Sequence, residues 1–199
     1  MEKKRCIWVD EKSPVYVKYH DEEWGVPVHD DKKLYEMLLL ETFQAGLSWI
    51  TVLRKREEFR KAFDGFDAEK TASYGEDKIK ELMQNPGLIR NRKKIEAAVK
   101  NARVFLQIQK EFGSFSNYLW GFTNGEIILN QDDNFPVKTE LSDRLSKDLK
   151  KRGMAFVGSV TLYSYLQAVG VVNDHERSCF CRSLYRKKEI CKLEHCRNK

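Results

Sequence analysis

Apolar positions recur along this chain with a helical period almost throughout, and no stretch alternates for long enough to build a sheet. Leu34, Met37 and Leu38 share one face of a helix that Asp30 or Asp31 can cap. A second helix, roughly Ser48 to Phe63, carries Trp49, Val52, Leu53, Phe59 and Phe63 on one side. Asn85-Pro86-Gly87 breaks the chain, and a longer helix from about Asn91 to Phe112 keeps Ile95, Val99, Ala102 and Leu106 in register. Asn124-Gly125 and the run from Asp132 to Pro136 read as turns, and the apolar Ile127 to Leu129 between them fits helix or strand. Repeats, low-complexity segments and linkers are all absent. The expectation is a single, mostly helical, all-α domain over residues 1–181.

Residues 141–170 are more specific. Leu141, Leu145 and Leu149 define an amphipathic helix closed by Lys150, Lys151, Arg152 and Gly153, with cations in the last turn and glycine as the stop. Gly158 follows, and Ser159 is the expected N-cap of a helix running to Gly170. Two helices joined by a short glycine-bounded turn with basic flanks match a helix-hairpin-helix, whose backbone N–H groups hold a DNA phosphate without reading sequence. The same segment also fits an ordinary corner between two helices.

Composition narrows the classes. Of the 199 residues, 33% are charged and 41% hydrophobic, a globular mix rather than a disordered one. Apolar runs are far too short to span a bilayer, and none follows the basic N-terminus as a secretory signal requires. A cytoplasmic protein with five reduced cysteines is therefore expected. The net charge is +6, yet residues 182–199 hold seven Lys or Arg against Glu189 and Glu194, leaving only +1 for the rest. This basic tail is expected to be dispensable for any catalysis, adding only salt-sensitive attraction to a polyanion.

Four groups of residues carry candidate chemistry. His175 and Cys179 are spaced to face one metal ion, and Cys6 with His20 could complete a tetrahedral Cys2His2 set suited to zinc. Cys181, Cys191, His195 and Cys196 are further ligand candidates. Glu41 lies seven residues after Leu34, hence on the apolar stripe, where a carboxylate is costly unless paired or used. Trp8, Tyr16, Tyr19 and Trp24 crowd around His20 and can line a flat pocket for a heterocycle, or simply form core. The cluster from Arg90 to Lys94 opposes the helix dipole at a helix start, which favours a phosphate-contact role over a plain solvated face.

Taken in order, the motifs are Arg5-Cys6-x-Trp8, Tyr19-His20-Asp21-x-Glu23-Trp24-Gly25, Leu40-Glu41-x-x-Gln44-Ala45-Gly46-Leu47-Ser48-Trp49, Asn91-Arg92-x-Lys94-Ile95, and Phe156-Val157-Gly158 through Tyr163-Ser164 to Val172-Asn173-Asp174-His175. From Cys6 to Cys179 the chain closely resembles the Tag family of bacterial DNA-3-methyladenine glycosylases. The resemblance implies a helix-hairpin-helix glycosylase fold, base flipping, and one structural zinc held by Cys6, His20, His175 and Cys179 to join the two chain ends. It implies a base pocket of Glu41, Tyr19, Trp8 and Trp49, with Glu41 and Tyr19 closest to the chemistry. Gly46 and Leu47 would fill the gap left by the flipped nucleotide, and Gly153, Gly158 and Thr161 would hold the DNA backbone. The one departure noted is Thr42-Phe43, where the family is expected to carry glycine before a variable residue.

The implied reaction is hydrolysis of the N-glycosidic bond of 3-methyladenine in double-stranded DNA by a monomer. Free 3-methyladenine is the product, and neither a lyase step nor a membrane is involved. Methylation at N3 makes the base cationic and a good leaving group, so extrusion, binding and water suffice. Glu41 is expected to act as an ionised acceptor for the amino edge. Asp174, beside His175, is expected to support the metal site or cap a helix. The competing reading is a zinc-stapled helix-hairpin-helix DNA-binding module without catalysis, which has no need of a carboxylate in an aromatic pocket.

Overall fold

The computed structural model describes residues 3–130 and 135–184. Helices dominate them: α1 (Pro14–Glu22), α2 (Asp31–Gln44), α3 (Trp49–Ala62), α4 (Ala68–Ala72), α5 (Glu76–Gln84), α6 (Arg92–Phe112), α7 (Phe115–Gly121), α8 (Glu140–Lys151) and α9 (Ser159–Ala168). Side chains start several of these helices. Asp30 accepts from the Lys33 amide at 2.8 Å, and Asn91 accepts from that of Lys94 at 3.2 Å. Thr139 and Ser142 form a reciprocal cap on α8, and Gly113 at φ +81° ends α6.

The centre of the fold is α2. Every residue from Leu34 to Phe43 is buried, because α3, α6, α7 and α9 all pack on it. A helix enclosed on all sides needs no polar face, so Met37 to Leu40 run apolar without a break. Glu41, on the seventh position after Leu34, is only 2% exposed.

Three details differ from the sequence expectation. The all-α chain contains one short parallel pair, β1 (Ile128–Leu129) with β2 (Val172–Asn173), in the register Ile128↔Val172 and Leu129↔Asn173. Two-residue strands so far apart in sequence leave no periodic trace. The N-cap of α9 is Gly158, and Ser159 is the first helical residue, making no capping bond to the backbone. Arg182, counted with the tail, donates to the carbonyls of His175 and Asn130 and so belongs to the folded body. Residues 185–199, including Cys191, His195 and Cys196, lie outside the described residues.

The segment after α1 is sealed against the end of α9, with Gly25 N–H donating to Gln167 and Val28 N–H to Val169. Gly170 makes this possible: at φ +72°, a Cβ there would sit 2.4 Å from Pro27 N and Val26 C, both backbone. Gly170→Ala is therefore expected to cost about 3 kcal/mol or more, combining clash with left-handed strain, read as a fall in the denaturation midpoint.

Candidate active site and metal centre

Five segments converge on a cavity of ≈ 270 Å³, one of them through Phe135 ahead of α8. Tyr16 and Tyr19 come from α1, with Trp8 before it and Trp24 after it; Glu41 and Gln44 come from α2. Trp49 opens α3, while Ser164, Gln167 and Asp174 are contributed by α9 and the chain beyond β2. The rings interlock edge-on, Trp8 lying 4.9 Å from Trp24 and 5.3 Å from Tyr16, and Tyr19 lies 5.4 Å from Trp49. The expected pocket of Trp8, Tyr19, Glu41 and Trp49 is thus brought together in one place.

Among the described residues, four buried side-chain polar atoms have no hydrogen-bond partner. Three of them, Glu41 Oε2, Trp49 Nε1 and Asp174 Oδ1, belong to residues lining this cavity. A buried unpaired polar atom costs about 1–3 kcal/mol, so three around one cavity mark a site shaped for a polar ligand. A larger cavity of ≈ 570 Å³ lies on the other side of Tyr19, but Glu23, Lys33, Arg56 and Arg60 around it are bonded to one another or to Glu36.

One expectation is corrected by this geometry and another is qualified. Burial pushes the Glu41 carboxyl up to about 8, so the ionised acceptor expected there is favoured only when a positive charge lies beside it. Asp174 neither supports a metal ligand nor caps a helix; its Oδ2 accepts from Tyr163 Oη at 2.5 Å and Gln167 Nε2 at 2.6 Å. Sequence reading missed Gln167 as a site residue. Its signal was its spacing, three residues after Ser164 and four after Tyr163 on the same face of α9.

The candidate metal centre lies on the far side of Trp8 and Trp24. Cys6 and Cys179 Sγ with His20 Nε2 and His175 Nδ1 face one point: all four ligand atoms lie within 4.8 Å of one another, and all four residues are buried. The Sγ···N distances of 3.4–3.5 Å match the edge of about 3.5 Å for a tetrahedral zinc with bonds of about 2.3 Å to sulfur and 2.0 Å to nitrogen. The opposite ring nitrogens are held for ligation: His20 Nδ1 meets Asp21 at 2.8 Å and His175 Nε2 meets the Trp24 carbonyl at 3.1 Å. The residues fit a metal ion. Cys181 is buried beside them, in a second possible grouping with His20 and Asp21.

The residues expected to face DNA lie at two turns. Gly46 turns at φ +81° and leaves Leu47 41% exposed. Between α8 and α9, Gly153 turns at φ +105°, and Gly158 and Thr161 are half-buried at the start of α9. The basic cluster departs from expectation. Arg92 pairs with Glu76 and Glu96, and Lys94 is buried with its ammonium on backbone carbonyls; only Arg90 and Lys93 stay exposed without such partners shown.

The sequence profile of the methyladenine glycosylase family matches residues 8–182, nearly the whole of the described body. The chain belongs to that family. A DNA-3-methyladenine glycosylase of Haemophilus influenzae is 49% identical over 182 residues, covering 90% of this chain and 98% of that protein. The crystal structure of a 3-methyladenine DNA glycosylase I superposes with a TM-score of 0.86 at 48% identity, covering 89% of this chain and 99% of that one. A tyrosine-to-phenylalanine variant of such a glycosylase, in complex with 3-methyladenine, superposes with a TM-score of 0.84 at 40% identity, covering 86% and 94%. Membership in the methyladenine glycosylase family makes this chain a DNA glycosylase, a hydrolase of N-glycosyl bonds that works in base-excision repair.

Proposed function

We propose that the chain removes 3-methyladenine from double-stranded DNA, flipping the nucleotide out and hydrolysing its N-glycosidic bond without cutting the strand. The observation that carries this reading is the set of unpartnered atoms of Glu41, Trp49 and Asp174 around one aromatic cavity. A purine supplies both edges and faces: its amino group meets the Glu41 carboxyl, its rings lie among Tyr19, Trp8 and Trp49. A base made cationic by methylation draws the Glu41 carboxyl toward ionisation, whereas unmodified adenine brings no such charge. Burial holds the Tyr19 phenol well above its ordinary range, so Tyr19 offers a hydrogen to the base rather than a charge. Once the bond breaks the base leaves neutral, and water completes the hydrolysis.

On this reading Gly46 and Leu47 occupy the gap in the duplex, and Gly153, Gly158 and Thr161 face the phosphates. The Cys6, His20, His175 and Cys179 group is read as a structural zinc site; bound zinc would cross-link the chain ends and supply no step of the reaction. No helix among the described residues is long and apolar enough to cross a membrane. We take the protein to act as a monomer in the cytoplasm. A DNA-binding module without catalysis has no use for three unmet polar atoms in a purine-sized cavity. The test is chromatography of bases released from methylated duplex DNA. Free 3-methyladenine with uncut strands is expected; no released base would refute the proposal.

A further inference from the structure

Lys94 stands where a cation is least expected. It is the third residue of α6, in the turn whose dipole disfavours positive charge, and it is only 6% exposed. Its Nζ donates at 2.7 Å to the carbonyls of both Phe43 and Ala45. Phe43 closes the buried part of α2, and Ala45 is the residue before Gly46. The same Nζ lies 6.0 Å from the ring of Phe156, a residue of the hairpin held at φ +57°.

Seven residues further along the same face, within about 20° of Lys94, is Asn101. Its amide grips Ala155 at both backbone groups, donating to the carbonyl at 2.9 Å and accepting from the N–H at 2.8 Å. Two turns of α6, about 10 Å, thus hold the loop after α2 at one point and the hairpin at the other. The loop carries Leu47 and the hairpin carries Gly153 and Gly158, so both structures that would touch the duplex are tied to one rigid rod.

Resting on the glycosylase reading, we infer that Lys94 and Asn101 are positioning residues that set the spacing between the gap-filling loop and the phosphate-facing hairpin. Neither lines the base cavity, so their effect falls on extrusion from a duplex and not on recognition of the base.

The test compares single-turnover release of 3-methyladenine from duplex DNA with affinity for the free base. Lys94→Met keeps the aliphatic stem and removes the donors. It is expected to lower the duplex rate by about 10- to 100-fold, the scale for small misplacement of a reacting group, and to leave free-base affinity within about twofold. In a protein already carrying Leu47→Ala, adding Lys94→Met is expected to change the duplex rate by less than about twofold, because its effect passes through the loop. If the two losses multiply, or if free-base affinity falls in step with the rate, Lys94 is an ordinary helix cap and the inference fails. Should Lys94→Met not fold, Asn101→Ala tests the other tie, with the same split between duplex rate and free-base affinity expected and a parallel loss overturning it. Absence of release by the unaltered chain overturns the glycosylase reading itself, and is thereby told apart.

Discussion

Cys179→Ser is expected to leave the protein without tightly bound zinc and to lower its stability by about 4 kcal/mol or more, the range in which loss of a metal falls. Cys179 touches both imidazoles, at 3.4 Å to His20 and 3.5 Å to His175, so its loss breaks the ligand set at its centre. The set links positions 6 and 179, and closing so long a loop removes much freedom from the unfolded chain. The site also backs the cavity wall, since Trp24 lies 4.6 Å from His175 and Trp8 lies 5.4 Å from His20. Elemental analysis and a thermal scan, before and after chelation, provide the readout. A variant that retains one zinc and its melting temperature would show that Cys179 is no ligand.

Glu41→Gln is expected to slow single-turnover release of 3-methyladenine by about 1–3 kcal/mol, roughly 5- to 150-fold, while raising stability in alkaline solution. The two effects have one origin. The folded value of about 8 lies above the ordinary 4.5, so the stability associated with the protonated carboxyl is fully present below pH 4.5 and is lost as the pH climbs to 8. Glutamine carries no such penalty. The variant should therefore melt above the parent at pH 8, with the difference shrinking toward pH 5. The rate follows the opposite sign. Ionised Glu41 attracts the cationic base, so the parent's rate should rise with pH and level off at or below pH 8, and the variant's profile should be flat there. Equal rates and parallel profiles for the two proteins would remove Glu41 from base recognition.

Much of the fold was legible because local rules govern it. The cap at Asp30 or Asp31, the helix start at about Asn91, the stop at Gly153 and the buried phase of Glu41 all follow from short-range sequence. The metal group was legible as residue types, but the meeting of Cys6 with His175 depends on packing 169 residues apart. The cavity's third unmet group was not legible. Asp174 adjoins a candidate ligand in sequence, and nothing local shows that its carboxyl turns away to Tyr163 and Gln167. Lys94 was misread for a related reason. A run of cations looks like a phosphate surface until one of them is seen to reach the end of a different helix.

The joining of the two chain ends also bears on how the protein comes to be made. Trp8, Tyr16, Tyr19 and Trp24 leave the ribosome well before Gln167, Asp174, His175 and Cys179. Until then the cavity lacks its C-terminal side, and the ligand set stands at two of its four members. A chain halted before residue 174 holds Trp8, Tyr19, Glu41 and Trp49 but lacks the Asp174 side of the cavity and half of the candidate ligand set. The cavity wall is thus completed last, when the C-terminal segment docks and brings His175 and Cys179 to Cys6 and His20.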